Sequence, residues 1–507
     1  MHRLPLSLAS VLGLFLIASL AGCGSGRESG TPLTNVATTK NPLVAQYDVT
    51  TFDPASVWVE FGPDASYGRQ TSMMAASDSS PRQATVLVAG MKAKSTYHMR
   101  AHVEYPDGTS WVDADHTFKT GPLPSYNQLT LTVTRPSPSL NVAQSGVELL
   151  DVTATGTKNL RGAVADLDGN IIWYQDFNST DLWPFPIKTM PNGDILLNLA
   201  DELREINLVG DVIRTVTVSG DLNSRMQLAG FTSFHLDGIH HDIATLPNGH
   251  LILLGNATKT FTNLPGYPGD TRVIGDVLVD LDPDWNPVWT WSSFDHLDIN
   301  RHLMGLPDWT HSNAVIYSPD DGNLMVSMRH QSWVIKIDYA DGNGTGGILW
   351  RLGNEGDFSI DGGDPSQWFY AQHYPQIVSD SGSLMTLTIF DNGNLREDDV
   401  GNQCTGSYPA CYSRAILMQV DESAKTASVQ WQDAPGYYSF WGGSIGVLEN
   451  GDVEFAMSSP FANPIGSRIM EVTQTATPEI VWQMDIAGGN AYRAYRIPSL
   501  YPGVTWH

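Results

Sequence analysis

Leu246-Pro-Asn-Gly-His-Leu-Ile-Leu-Leu254 is a tight turn running straight into an apolar strand, and the chain repeats it. The pattern returns as Met190-Pro-Asn-Gly-Asp-Ile-Leu-Leu197, Asp321-Gly-Asn-Leu-Met-Val326, Ser381-Gly-Ser-Leu-Met-Thr-Leu387 and Glu449-Asn-Gly-Asp-Val-Glu-Phe455. The turn glycines 193, 249, 322, 382 and 451 are spaced by 56, 73, 60 and 69 residues, which is room for four short strands and one long loop per unit. A second hairpin recurs in step with the first, at 164–173, 205–213, 279–289, 337–350, 419–431 and 471–482. Six such hairpins predict a six-bladed β-propeller over 140–507, with the hairpin at 164–173 completing the last blade and locking the ring.

Composition agrees with this all-β reading. Gly 47 and Pro 30, with few helix-periodic stretches, point to many short strands joined by turns, and 41% hydrophobic content is ample for sizeable cores. A formal charge of −26 argues against nucleic acid as a partner, because phosphate-backbone binding draws on basic patches. Ahead of the repeats, residues 41–122 alternate as strands, and Leu87-Val-Ala-Gly-Met-Lys-Ala-Lys-Ser-Thr-Tyr97 with Phe118-Lys-Thr-Gly121 resembles a small fibronectin III-like β-sandwich. His98 and His102 fall on one of its strands and read as structural.

His2 and Arg3, the apolar run Leu4 to Leu20, and then Leu20-Ala-Gly-Cys23 resemble a bacterial lipoprotein signal. That reading gives a signal peptide over 1–22, a lipid-anchored Cys23 and a tether over 23–40. A retained membrane anchor is the alternative, since the run approaches spanning length. Either way the protein is exported, as a periplasmic or cell-surface lipoprotein, and Gly24 after the cysteine leans toward the outer membrane. In an oxidising compartment Cys404 and Cys411, seven residues apart, are expected to form a disulfide. The chain leaves a homodimer open.

Three loops end in histidine just before an inner strand: His241, His311 and His373, each followed by a turn at Gly249, Gly322 or Gly382. Phe185 and Gly443 hold the equivalent place in the other repeats. One such histidine reads as a capped loop residue. Three at one repeat position, in a fold that closes, converge on one channel mouth, where position favours His241 over His240. Asn313 lies two residues past His311, so strand alternation sends both side chains to the same side. Arg329 ends the apolar run Leu324-Met-Val-Ser-Met, where a guanidinium is costly unless it meets an anion.

His240-His241-Asp242, Trp309-Thr-His-Ser-Asn313, Ser327-Met-Arg-His-Gln-Ser332, Gln372-His373 and Phe390-Asp-Asn-Gly393 together resemble the bacterial arylsulfate sulfotransferase family, over about 140–507. The resemblance implies an exported enzyme with an N-terminal sandwich and a six-bladed propeller. It would move a sulfuryl group from an aryl sulfate donor to a phenolic acceptor without phosphoadenylyl sulfate, cofactor or metal. The family's transiently sulfated histidine falls on His373, and its other anion-pocket positions on His241, His311, Asn313 and Arg329. A neutral His373 would attack sulfur in a ping-pong sequence, while His311 or His241 handles the phenol's proton. Two alternatives stand beside it. A His-ligated metal hydrolase is disfavoured by an arginine in the same pocket, and a non-catalytic surface propeller would bind a ligand without turnover.

Overall fold

The computed structural model describes residues 30–136, 142–153, 158–177, 184–398, 400–404, 406, 410–459 and 465–507. The signal segment, Cys23 and the start of the tether lie outside the described residues. The protein is all-β, with 49% strand and 6% helix.

Alternation builds the N-terminal unit. Leu33–Thr38, Ala45–Thr51 and Arg82–Val88 form one antiparallel sheet, and Ser56–Gly62 and Thr96–Glu104 anchor a second. Ala45, Tyr47 and Val49 of the first sheet and Val57, Val59, Phe61, Met99, Ala101 and Val103 of the second share one core. The first strand, Leu33–Thr38, occupies part of the stretch read as tether; it pairs with Ala45–Thr51, and its Val36 packs on the core. His98 bonds Asp115 and His102 stacks on Trp58, so both serve this unit.

The remainder forms six antiparallel sheets of four strands, two of them widened by an outer fifth strand. Their innermost strands are, in chain order, β1 (Ile187–Thr189), β2 (Gly238–Thr245), β3 (Ser312–Ser318), β4 (His373–Ser381), β5 (Ser444–Val447) and β6 (Asn490–Ile497). The five turn glycines join first to second strands, with φ between 65° and 91°, a left-handed geometry that explains the residue type. In the sixth sheet β6 pairs with Val147–Thr153, so the two ends of this region are hydrogen-bonded to each other. Each sheet shares an apolar cluster with the next. The last interface, between the sheet of β6 and the sheet of β1, is filled by Leu149, Val164, Trp173, Ile187, Ile195 and Leu197.

Arg496 on β6 fastens the closure. Its side chain is almost fully buried, bonds Glu148 of its own sheet, and meets Glu471 at 2.9 Å and Glu454 at 3.3 Å in the neighbouring sheet. Burial and the adjacent Glu148 hold Glu454 well above the usual carboxyl range, so one guanidinium serves three acidic groups that do not all ionise. Removing the cation strands buried carboxylates, a change worth about 3–5 kcal/mol. Arg496→Met is therefore expected to lower the unfolding free energy by an amount in that range, read as a lower urea midpoint by tryptophan fluorescence; an unchanged midpoint would show the network to be dispensable.

Candidate active site

The histidines are aimed by backbone irregularities that repeat from sheet to sheet. Register shifts interrupt the pairing of β2 between Ile239 and Ile243, of β3 between Ser312 and Ala314, and of β4 between His373 and Gln376. His241, His311 and Tyr374 carry φ of 57°, 47° and 49°, conformations that cost a non-glycine residue stability. A bulge re-aims side chains where a strand begins, here at one end of all three inner strands. The even alternation expected between His311 and Asn313 is replaced by this bulge.

The rings meet. His241 and His311 lie 4.8 Å apart by ring centroid, and Phe185 packs edge-on to His241 at 5.4 Å. Tyr492 on β6 touches His241 at 5.6 Å and His373 at 6.0 Å. His241, in contact with Phe185, His311 and Tyr492, is the central ring; His240 turns its Nε2 to Asp276 at 3.3 Å.

Hydrogen bonds set the tautomer of His373. The Asn392 amide donates to the carbonyls of Ser439 (2.7 Å) and Gly442 (3.0 Å), so its oxygen must accept, and the 2.7 Å contact to His373 requires Nδ1–H on the ring. The lone pair is then on Nε2, met only by the long Gly442 N–H contact of 3.3 Å. Burial, then the charge of Arg329, hold His373 well below the usual imidazole value; burial, then His311, do the same for His241. Both are neutral at pH 7.

Arg329 donates to His330 Nε2 (2.7 Å) and to the Phe440 carbonyl (2.9 Å), and among the described residues it forms no ion pair with a carboxylate. A half-buried cation without an anion is what an anion-binding site requires. Asn313, fully buried, gives one N–H to the Gln372 carbonyl at 2.7 Å and leaves its oxygen without a partner. Gln372 turns into the sheet instead, bonding Ser327 and the Trp333 carbonyl.

Several participants were not singled out from the sequence. Tyr492 and Arg493 lie on the closing strand, which carries no turn-glycine signature. Arg493 is fully buried, stacks on Tyr374 at 4.3 Å, bonds the Asn313 carbonyl and pairs with Asp242 at 3.4 Å, so its charge is spent within the channel wall. Asp242 also holds Lys188 at 2.7 Å. Beyond this layer, a cavity of about 860 Å³ is lined by later residues of the inner strands, among them Thr189, Ala244, Ile316 and Gln376, away from the histidines.

Asp308, His311 and His330 bring three potential metal donors together. His330 is already committed, with Nδ1 on the Asp308 carbonyl at 2.7 Å and Nε2 on Arg329, and burial with His311 pulls it down to about 4. Ligation through Nε2 would displace the Arg329 N–H and set a cation against a guanidinium, so the donor set does not fit a metal. Cys404 and Cys411, both buried and later in the chain than β4, are bonded to each other.

Residues 127–496 match the family model described as Arylsulfotransferase (ASST). No curated protein matches the chain. Solved structures resemble it only weakly. A protein of unknown function from Bacteroides caccae gives a TM-score of 0.40 at 11% identity, covering 69% of this chain and 98% of that one. Cobalt-substituted ACO from Synechocystis gives 0.32 at 11%, covering 93% and 97%. The endo-1,5-alpha-L-arabinanase of Thermotoga petrophila gives 0.27 at 12%, covering 59% and 72%. These scores carry no argument about activity. The family match spans most of the sequence and includes every side chain gathered at the channel mouth, and the chain belongs to the arylsulfotransferase family.

Proposed function

We propose that the six sheets are the blades of a β-propeller behind a fibronectin III-like sandwich. We infer that its channel mouth moves a sulfuryl group from an aryl sulfate to a phenol through a sulfated His373. The observation that carries this reading is the pairing of Arg329, a cation with no carboxylate partner, with a neutral His373 whose lone pair is on Nε2.

Sulfuryl transfer spreads charge over the three non-bridging oxygens, as phosphoryl transfer does, so positioning and preorganised donors supply most of the catalysis. His373 Nε2 attacks sulfur, the bond from sulfur to the aryl oxygen breaks, and the electron pair leaves with the phenolate. Arg329, the second N–H of Asn313 and the Gly442 N–H, freed from Nε2, are the donors for the sulfuryl oxygens. Phe185, Tyr492 and Trp441 offer aryl-binding surface beside them; Trp441 stacks on Tyr492 at 6.2 Å. The acceptor phenol reverses the sequence and restores His373, giving ping-pong kinetics.

The protein is placed outside the cytoplasm, held at the outer membrane by lipid on Cys23, where the Cys404–Cys411 disulfide persists. Cys23→Ser is expected to abolish incorporation of labelled fatty acid into the protein; labelling at the wild-type level would refute the anchor.

Incubation with p-nitrophenyl sulfate alone is expected to add one sulfonate to the peptide holding His373, seen by mass spectrometry, and His373→Ala to abolish both adduct and turnover. Because His373 titrates below the ordinary 6.5, the acid limb of kcat/KM for p-nitrophenyl sulfate, whose leaving group needs no proton, belongs below that pH. Turnover by His373→Ala at the wild-type rate would remove the nucleophile assignment. Arg329→Lys is expected to cost about 10²-fold or more in kcat, because a point charge cannot reproduce the planar fork; unchanged kcat would exclude anion clamping.

A further inference from the structure

His311 and His241 both lie close enough to His373 for their charges to interact with it, yet their surroundings differ. His311 directs Nδ1 at the carboxylate of Asp308, 2.5 Å away, and its Nε2 has no hydrogen-bond partner among the described residues. Among the described residues no carboxylate meets either nitrogen of His241, and its Nδ1 faces His240 Nδ1 at 2.8 Å. Burial works to raise Asp308, but the hydrogen bond and charge of His311 hold it below the usual carboxylate value, so it is ionised at neutral pH.

The loop that carries this pair is rigid. The Asp308 carbonyl accepts from His330 Nδ1 (2.7 Å), the Thr310 carbonyl from the His330 amide (3.1 Å) and the His311 carbonyl from the Arg329 amide (3.2 Å). Trp309 between them is buried and gives its indole N–H to the Arg301 carbonyl at 2.7 Å. The His330 ring stacks on His311 at 4.5 Å and 20°, which fixes the plane of the imidazole. Arg329, the proposed sulfuryl clamp, is thus tied through His330 to the segment that orients His311.

We propose that Asp308 is the positioning residue that makes His311 the proton-transfer group of the reaction, with Nε2 of His311 the atom that exchanges the proton with phenol oxygen. This rests on the sulfated-histidine reading above. In the first half, His373 Nε2 forms the bond to sulfur, the aryl oxygen leaves with its electron pair, and it takes the proton from Nε2 of cationic His311, releasing phenol and neutral His311. In the second half the acceptor phenol gives its proton back to His311 Nε2 as its oxygen bonds sulfur, and the nitrogen–sulfur pair returns to His373. Asp308 stays ionised throughout, holding Nδ1–H and facing the positive charge on the ring. The charged and titratable groups around His311 are Asp308, His330, His241, Arg329 and His373.

The test compares phenyl sulfate, whose leaving group needs a proton, with p-nitrophenyl sulfate, whose leaving group is stable as an anion. Asp308→Asn is expected to lower kcat/KM for phenyl sulfate, which reports the first half-reaction alone, about 10²-fold or more and kcat/KM for p-nitrophenyl sulfate less than about 10-fold. Combined with His311→Gln it should cost nothing further beyond His311→Gln alone, because Asp308 acts through that ring. Equal losses on the two donors, or additive losses in the double variant, would overturn the assignment. Should Asp308→Asn fail to fold, His311→Gln carries the donor comparison by itself, and a uniform loss overturns it in the same way. Absence of a donor-only adduct on wild-type His373 would instead remove the sulfated-histidine reading, a separate outcome.

Discussion

One set of backbone hydrogen bonds makes the channel mouth: the antiparallel pairing of Asn490–Ile497 with Val147–Thr153. It brings together segments 348 residues apart, as measured from Arg496 to Glu148, in the sheet that shares an apolar cluster with the first. The strand that closes the cycle also supplies the site, since Tyr492 touches the rings of His241 and His373 and Arg493 braces Asn313 and Asp242. Closure entropy rises slowly with loop length, so even this separation costs little more than a shorter one, and the apolar clusters between sheets offset it.

The mouth is built from locally unfavourable pieces. His241, His311 and Tyr374 hold left-handed backbone. Among the described residues Asn313 Oδ1, Gln372 Oε1 and Arg329 Nε are buried without partners. Each of these is destabilising alone, and their concentration where three bulges coincide is the signature of a site whose stability comes from elsewhere, namely the inter-sheet cores. Buried polar groups held without protein partners are preorganised for a ligand that brings its own charge and acceptors.

Much of this was legible in the sequence because turn chemistry is local. A Pro-Asn-Gly turn needs no tertiary context, so five turn glycines marked the first hairpins, and the histidines one strand earlier shared a phase. Tyr492, Arg493 and Asp308 were not legible for a physical reason. The first two sit on a strand whose sheet is assembled from both ends of the chain and lacks that turn. Asp308 acts only through a loop that bends Nδ1 of His311 back on it. Asn392 was visible in Phe390-Asp-Asn-Gly393, but its role depends on two carbonyls from 439–442. The strand at Leu33–Thr38 was hidden because its alternation is weak and its side chains largely exposed.

The central claim is that a closed ring holds a neutral, correctly tautomeric His373 beside an uncompensated guanidinium. Long-range ¹H–¹⁵N correlation of histidine rings, with His373 assigned by its loss in His373→Ala, tests this most directly. At pH 7 the ring is expected to show a protonated Nδ1 and an unprotonated Nε2. A cationic ring, or one carrying its proton on Nε2, would contradict the claim.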